Sequence, residues 1–294
     1  MAYPVIQKGT QGKDASDFQE AIEFLGYKLA RFGADGFIGG EVFGAVELFE
    51  HDHGLASSEG DVVRPQTVQW VFEIAAAVKQ VVTPTILDDL TAQDSGKRIR
   101  RRTWSETTGF TLHQTACELG EKDSTWLRVP VQTGVTRSGR IKLINPLNWV
   151  TYHGNGFNSH DIGIEFDGQY AGIEGDLKTF WKPQGAQYAN RKPSPILEVQ
   201  VNACRELMTW SCALVAAHKG KITYVHPHRC SSNQRTSDPG SALWQALGVW
   251  SQLPVAQGGL GLSDGGPGFK IGTGLPIPGV WTPKDLSRKN IPYL

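Results

Sequence analysis

The spacing of apolar positions divides the chain into parts of different period. In DASDFQEAIEFLGYKL, Phe18, Ala21, Ile22 and Leu25 recur at helical intervals, and Gly26 stops the run. FGADGFIGGEVFGAVELFEHDHGL reads as a tight turn at Asp35-Gly36, then a helix with Val42, Val46 and Phe49 inward. RPQTVQWVFEIAAAVKQ reads as a third helix opened by Pro65. From residue 103 the pattern becomes mixed. GFTLHQTA, DIGIEFDG and ITYVHPHR read as short strands, and RVPVQTGVTRSGRIKLI as two strands joined at Ser138-Gly139. SPILEVQVNACRELMTWSCALVAAHKG reads as a long amphipathic helix with Ser194 as N-cap before Pro195 and Gly220 as its stop.

These elements predict an α/β domain, with a central mixed β-sheet flanked by helices, preceded by a small all-α three-helix domain. The expected boundaries are 1–80 for the helical domain, 81–102 for a linker and 103–250 for the α/β domain. Residues 251–294 are expected to form an extended tail packed on that domain. The linker carries a Ser-Gly pair and the run KRIRRR, read as solvated.

Composition narrows the classes. Of 294 residues, 39% are hydrophobic and 20% charged, which excludes a disordered chain. No apolar run approaches the length of a membrane span, and the N-terminus lacks the basic-then-apolar pattern of a secretory signal. Net charge is zero, but residues 1–75 hold five basic and twelve acidic residues, so the rest carries the opposite excess. A pI near 7.1 and the lack of a DNA-binding motif argue against nucleic acid. Nine Trp supply aromatic faces of the kind that hold sugars. The four Cys are scattered and read as reduced core thiols.

Candidate chemistry lies at strand ends. His113, His226 and His228 all sit there, and Asp238 follows His228 by ten residues in HRCSSNQRTSDPG. Two imidazoles and a carboxylate suit zinc and leave a coordination position open. Glu165, within DIGIEFDG, points to the face opposite Ile164 and Phe166. A carboxylate there either accepts backbone hydrogen bonds or serves as a base toward metal-bound water.

TLHQTA, NSHDIGIEFDG and HRCSSNQRTSDPG, in that order, resemble the zinc-dependent N-acetylmuramoyl-L-alanine amidase family. That family includes phage endolysins, bacterial amidases and peptidoglycan recognition proteins. The resemblance implies one Zn2+ held by His113, His228 and Asp238, with Glu165 as the catalytic carboxylate. It implies a substrate-groove role for His153, in TYHGNG, and a structural or substrate-facing one for Asn158. Many family members carry Lys two residues before the last ligand; here Thr236 stands there, and Arg235 beside it is the expected oxyanion-stabilising cation. His226 and Cys230 also have ligand chemistry, but the ten-residue interval matches His228 and Asp238. Residues 5–75 resemble a three-helix peptidoglycan-binding domain.

Together these imply a peptidoglycan hydrolase that cuts between N-acetylmuramic acid and L-alanine, released as a phage endolysin or delivered as an antibacterial effector. It would be made in the cytoplasm and act on the cell wall. The expected partner is bacterial peptidoglycan, with no nucleic acid, no membrane and a monomeric chain. The alternatives are a non-cutting muropeptide-binding recognition protein and a cytosolic muropeptide-recycling amidase.

Overall fold

The computed structural model describes residues 3–182 and 189–283. Residues 284–294 of the expected tail lie outside the described residues. The chain divides into two compact units. One takes the residues through Val82 with Arg102–Glu106 and Ala213–Lys221, and the other takes the rest.

The first unit contains α1 (Lys13–Phe24), α2 (Gly40–His53) and α3 (Pro65–Val78). Their inward stripes form its core: Phe18 and Ile22 from α1, Val42, Val46 and Phe49 from α2, and Val68, Val71 and Ile74 from α3. Leu25, expected inward, caps α1 and is only partly buried. The buried Gln19 carboxamide sets the Asp35-Gly36 turn, donating to Asp35 Oδ1 at 2.9 Å and accepting from the Gly36 N–H at 2.7 Å. His53 and His218 also meet here, Nε2 to Nδ1 at 3.1 Å, and the His218 ring stacks on Trp104 at 4.0 Å.

The second unit is built on a six-stranded mixed sheet. Its strands are β1 (Leu87–Asp89), β3 (Gly109–Gln114), β4 (Thr133–Val135), β5 (Ile141–Leu143), β7 (Asp161–Phe166) and β8 (Tyr224–Pro227). They lie in the order β1-β5-β4-β7-β3-β8, with only the β4/β5 pair antiparallel. A separate ribbon pairs β2 (Arg100–Arg101) with β6 (Trp149–Val150).

Residues 81–102 are therefore not simply a linker, since they supply β1 to the main sheet and β2 to the ribbon. Three residues, LDD, are too few to show an alternation. Nor is the basic run wholly solvated. Arg102 is fully buried, and Arg98 donates to the Thr91 and Gln93 carbonyls at 2.7 and 2.9 Å.

Helix α4 (Glu198–Ala217) begins after the expected cap. Ser194 precedes Pro195, which disfavours helical backbone, and it pairs with Gln169 instead through its backbone N–H at 2.7 Å and its hydroxyl at 3.1 Å. At the other end the left-handed residue is Lys219, at φ 65°, rather than Gly220. Gly220 lacks a side chain because the Trp104 carbonyl lies against it. The four thiols are free, and burial pushes those of Cys204, Cys212 and Cys230 up to about 12. Beyond a helical stretch with a central π turn (Trp244–Val249), the chain returns along the site loop, where Ile271 and Leu275 donate to the Cys230 and Arg229 carbonyls. Among the described residues, no helix is long and apolar enough to cross a membrane.

Candidate metal centre

The two faces of the central strands differ in kind. Phe110 and Leu112 of β3, and Ile162, Ile164 and Phe166 of β7, share one face and are all buried. The other face carries Gly109, Thr111 and His113 from β3 beside Asp161, Gly163 and Glu165 from β7, in register. His226 of β8 lies opposite Thr111 on this polar face. Period-two alternation thus places His113 and Glu165 side by side, with Glu165 turned away from Ile164 and Phe166 as its neighbours require.

His228 lies two residues beyond His226, in the turn that follows β8. Its Nδ1 is 2.9 Å from His113 Nδ1 and 2.9 Å from Asp238 Oδ2. The other Asp238 oxygen accepts the Gln114 N–H at 3.0 Å, so the end of β3 aims the carboxylate. The Arg229 N–H donates to the Asp238 carbonyl, and Gln114 Nε2 to the Ser237 carbonyl, closing the loop from both sides. One donor atom each from His113, His228 and Asp238 lies within 4.8 Å of the others. Two imidazole nitrogens facing each other share at most one hydrogen if both rings are neutral. Burial, followed by the charges of His228, His153 and Arg235, drives the His113 pKa well below 6.5. Lone pairs and a carboxylate oxygen converging on one point fit a divalent cation, and this set suits zinc.

Glu165 stands beside His113 on the neighbouring strand. The residue is half-buried, but its Oε2 is fully covered and has no hydrogen-bond partner among the described residues. Burial first, then the Asp238 charge, pushes its pKa up to about 8, while Arg235 pulls it down. The alternative in which this carboxylate accepts backbone hydrogen bonds does not describe Oε2. Arg235 is exposed on the loop before Asp238, and its side chain makes no hydrogen bond or ion pair among the described residues. Its charge nevertheless reaches both His113 and Glu165.

Three further residues surround the centre, and the first departs from expectation. His153 is not in an open groove: it is buried, with Nδ1 3.2 Å from His113 Nε2 and Nε2 3.2 Å from the Asp161 carbonyl. Asn158 takes the structural option, its Oδ1 accepting from the His153 and Gly154 N–H groups at 2.9 and 2.7 Å. His226 pairs with Asp161, Nδ1 to Oδ2 at 2.8 Å, and packs against the rings of Phe157 and Phe269.

Asp161 and Gln114 organise the site yet went unread in the sequence. The available signal was glycine inside strands, which marks close approach. Gly109 meets the Asp161 carboxylate, Gly134 the Trp126 ring and Gly163 the His153 ring.

A mixed sheet that carries a His/His/Asp group beside a buried carboxyl has the parts of a metal-assisted hydrolase. Residues 103–241 match the model of the N-acetylmuramoyl-L-alanine amidase family (Amidase_2). Solved structures similar to the chain include the endolysin amidase LysCS from Clostridium intestinale. It is 15% identical, over 54% of this chain and 90% of that one, with a TM-score of 0.37. Drosophila PGRP-LB is 15% identical over 57% and 96%, at 0.38. The Ph2119 endolysin of a Thermus scotoductus bacteriophage is 18% identical over 54% and 97%, at 0.33. No curated protein matches the chain in sequence.

Proposed function

We propose that this protein is a zinc-dependent peptidoglycan amidase that hydrolyses the bond between the lactyl group of N-acetylmuramic acid and L-alanine. One observation carries the reading: a buried carboxyl oxygen without a partner, on the strand beside a convergent His/His/Asp group. His113, His228 and Asp238 hold the metal. When bound, zinc supplies a Lewis acid for the scissile carbonyl and eases loss of a proton from water. Glu165 takes the proton of the attacking water at its carboxylate. It returns a proton to the L-alanine nitrogen as the C–N bond breaks, leaving a free carboxylate and a free amine. Burial raises its pKa and a bound cation would lower it again, and the two opposed effects bring it toward the working pH. Arg235 is the cation nearest in sequence to the last ligand and is assigned to the developing oxyanion as a charge acting at a distance. The three-helix unit is assigned to wall binding, where tethering raises the local concentration of substrate. Phage release and effector delivery both suit such an enzyme.

The test uses purified cell walls. New amino groups bearing N-terminal alanine, without new reducing sugars, are the expected products. Reducing sugars would make it a glycosidase. Wall binding without either product would favour the recognition-protein alternative.

A further inference from the structure

We infer that His153 is a positioning residue for the metal centre: it fixes the tautomer of His113 so that Nδ1 is the ligand atom. This rests on the ligand assignment proposed above. A neutral imidazole carries one ring hydrogen, and the partner of one nitrogen decides which nitrogen keeps it. Here the decision starts at a group that cannot change role. The Asp161 backbone carbonyl only accepts, so His153 Nε2, 3.2 Å away, carries the hydrogen. Its Nδ1 is then a bare acceptor, and the His113 Nε2–H donates to it across 3.2 Å. His113 Nδ1 is left with its lone pair, facing His228 Nδ1 at 2.9 Å within the group that includes Asp238. The hydrogens therefore run in one direction, from His113 through His153 to a main-chain carbonyl.

The surroundings hold this relay from three sides. The His153 ring lies over Gly163, where a Cβ would stand 2.8 Å from Cγ and 3.0 Å from Nδ1. No side chain fits there without moving the ring. Asn158 grips the backbone on either side of the ring through the His153 and Gly154 N–H groups. The residue supplying the carbonyl is anchored in turn, since Asp161 Oδ2 accepts from the Thr111 hydroxyl at 2.8 Å and pairs with His226 at 2.8 Å. His226, a ligand by chemistry alone, thus serves the centre at one remove, through the residue on which His153 ends.

The test compares His153→Asn with His153→Leu in the full-length protein. The Asn carboxamide oxygen can stand where Nδ1 stood and accept from His113; Leu fills the space without an acceptor. Zinc affinity is measured by chelator competition on metal-stripped protein, alongside the melting temperature of each metal-free variant. His153→Leu is expected to weaken zinc on the order of 10–100-fold, and His153→Asn to recover most of that. Gly163→Ala should weaken zinc in the same way although it removes no polar group. Equal affinity in the parent and His153→Leu would overturn the proposal. So would equal losses in Leu and Asn that track a fall in metal-free melting temperature, the mark of a merely structural role. Nitrogen-15 spectra of the metal-free parent provide a readout independent of metal. Hydrogen on His113 Nε2 is expected, and hydrogen on Nδ1 would overturn the inference whether or not zinc binds. A parent with the expected tautomer that takes no zinc would overturn the ligand assignment and sustain the role of His153 in setting the tautomer.

Discussion

Among the described residues, two histidine contacts have nearly the same spacing and opposite surroundings. In the second unit His113 and His228 face each other at 2.9 Å; in the first unit His53 and His218 do so at 3.1 Å. Burial lowers the pKa of His113, His53 and His218, and a neighbouring imidazole lowers that of His113 and His218 further. The difference lies in what else arrives. His228 Nδ1 also meets Asp238 Oδ2 at 2.9 Å, and Glu165 lies on the adjacent strand. The His53–His218 pair meets a wall of rings: Phe49 tilted against His53 at 4.1 Å and Trp104 stacked on His218. The carboxylate nearest in sequence, Asp52, accepts from the Tyr27 hydroxyl and pairs with His51. On the proposed reading, paired imidazoles become a ligand set when an anionic donor converges with them; without one they are a stacked element of a core.

Removing ligands should break the comparison most sharply. His228→Ala and Asp238→Ala are expected to lose zinc and essentially all turnover, whereas His218→Phe keeps zinc and turnover. Metal analysis and a wall-clearing assay on the same preparations check this. His226→Ala should lose far less than His228→Ala, because its ring faces Asp161. If His226→Ala strips the metal and His228→Ala does not, the ligand assignment moves by two residues.

The next effect isolates the group that the other pair lacks altogether. Glu165→Gln keeps shape and zinc but removes the base, so turnover should fall on the order of a hundredfold or more. Substrate binding should change little, because proton transfer belongs to the transition state. A folded, zinc-loaded Glu165→Gln enzyme close to parental speed would remove Glu165 from the mechanism.

What sequence could show follows the same division. His113 and Glu165 were legible because strand alternation is local: an imidazole near the end of β3, and on β7 a carboxylate with apolar neighbours on either side. His228 and Asp238 were legible from resemblance, through their interval in one loop. The role of His153 was not, because it depends on Gly163 offering no Cβ on another strand and on a carbonyl that carries no sequence signal. Likewise β1 is three residues long and gains its identity only from β5 beside it. The His53–His218 pair joins residues far apart in sequence, beyond the reach of any local period.

That pair makes its own prediction, in stability. Burial holds both rings neutral, lowering His53 from 6.5 to about 4 against the opposing pull of the Phe49 carbonyl and Asp52. The unfolded chain takes up these protons near its ordinary pKa and the folded chain resists. Stability is therefore complete above pH 6.5 and is lost as pH falls toward about 4. Each tenfold reduction in proton affinity corresponds to about 1.4 kcal/mol. The parent's melting temperature should drop across that window, and His218→Phe should flatten the drop while losing about 1 kcal/mol at neutral pH for the missing hydrogen bond. Equal slopes in parent and variant would show that other groups govern the acid transition.

The smallest expected effect tests how far the surroundings of the His113–His228 pair extend. Arg235 is exposed, yet its charge lowers the pKa of both Glu165 and His113. Arg235→Ala removes a cation that favours the Glu165 carboxylate, so the pKa of Glu165 rises and the acid limb of the turnover profile moves to higher pH. Bound zinc acts on the same carboxylate with greater charge, which shrinks the share belonging to Arg235. Solvent screening of an exposed guanidinium shrinks it again. Turnover at neutral pH should therefore fall only severalfold, with zinc content unchanged, and added salt should narrow the gap between parent and variant. Arg235→Lys, which keeps the charge but loses the planar fork, separates two roles. Recovery by Lys means that Arg235 acts as a charge. A loss as large as that of Ala, well beyond severalfold and insensitive to salt, would place the guanidinium in direct contact with the developing oxyanion.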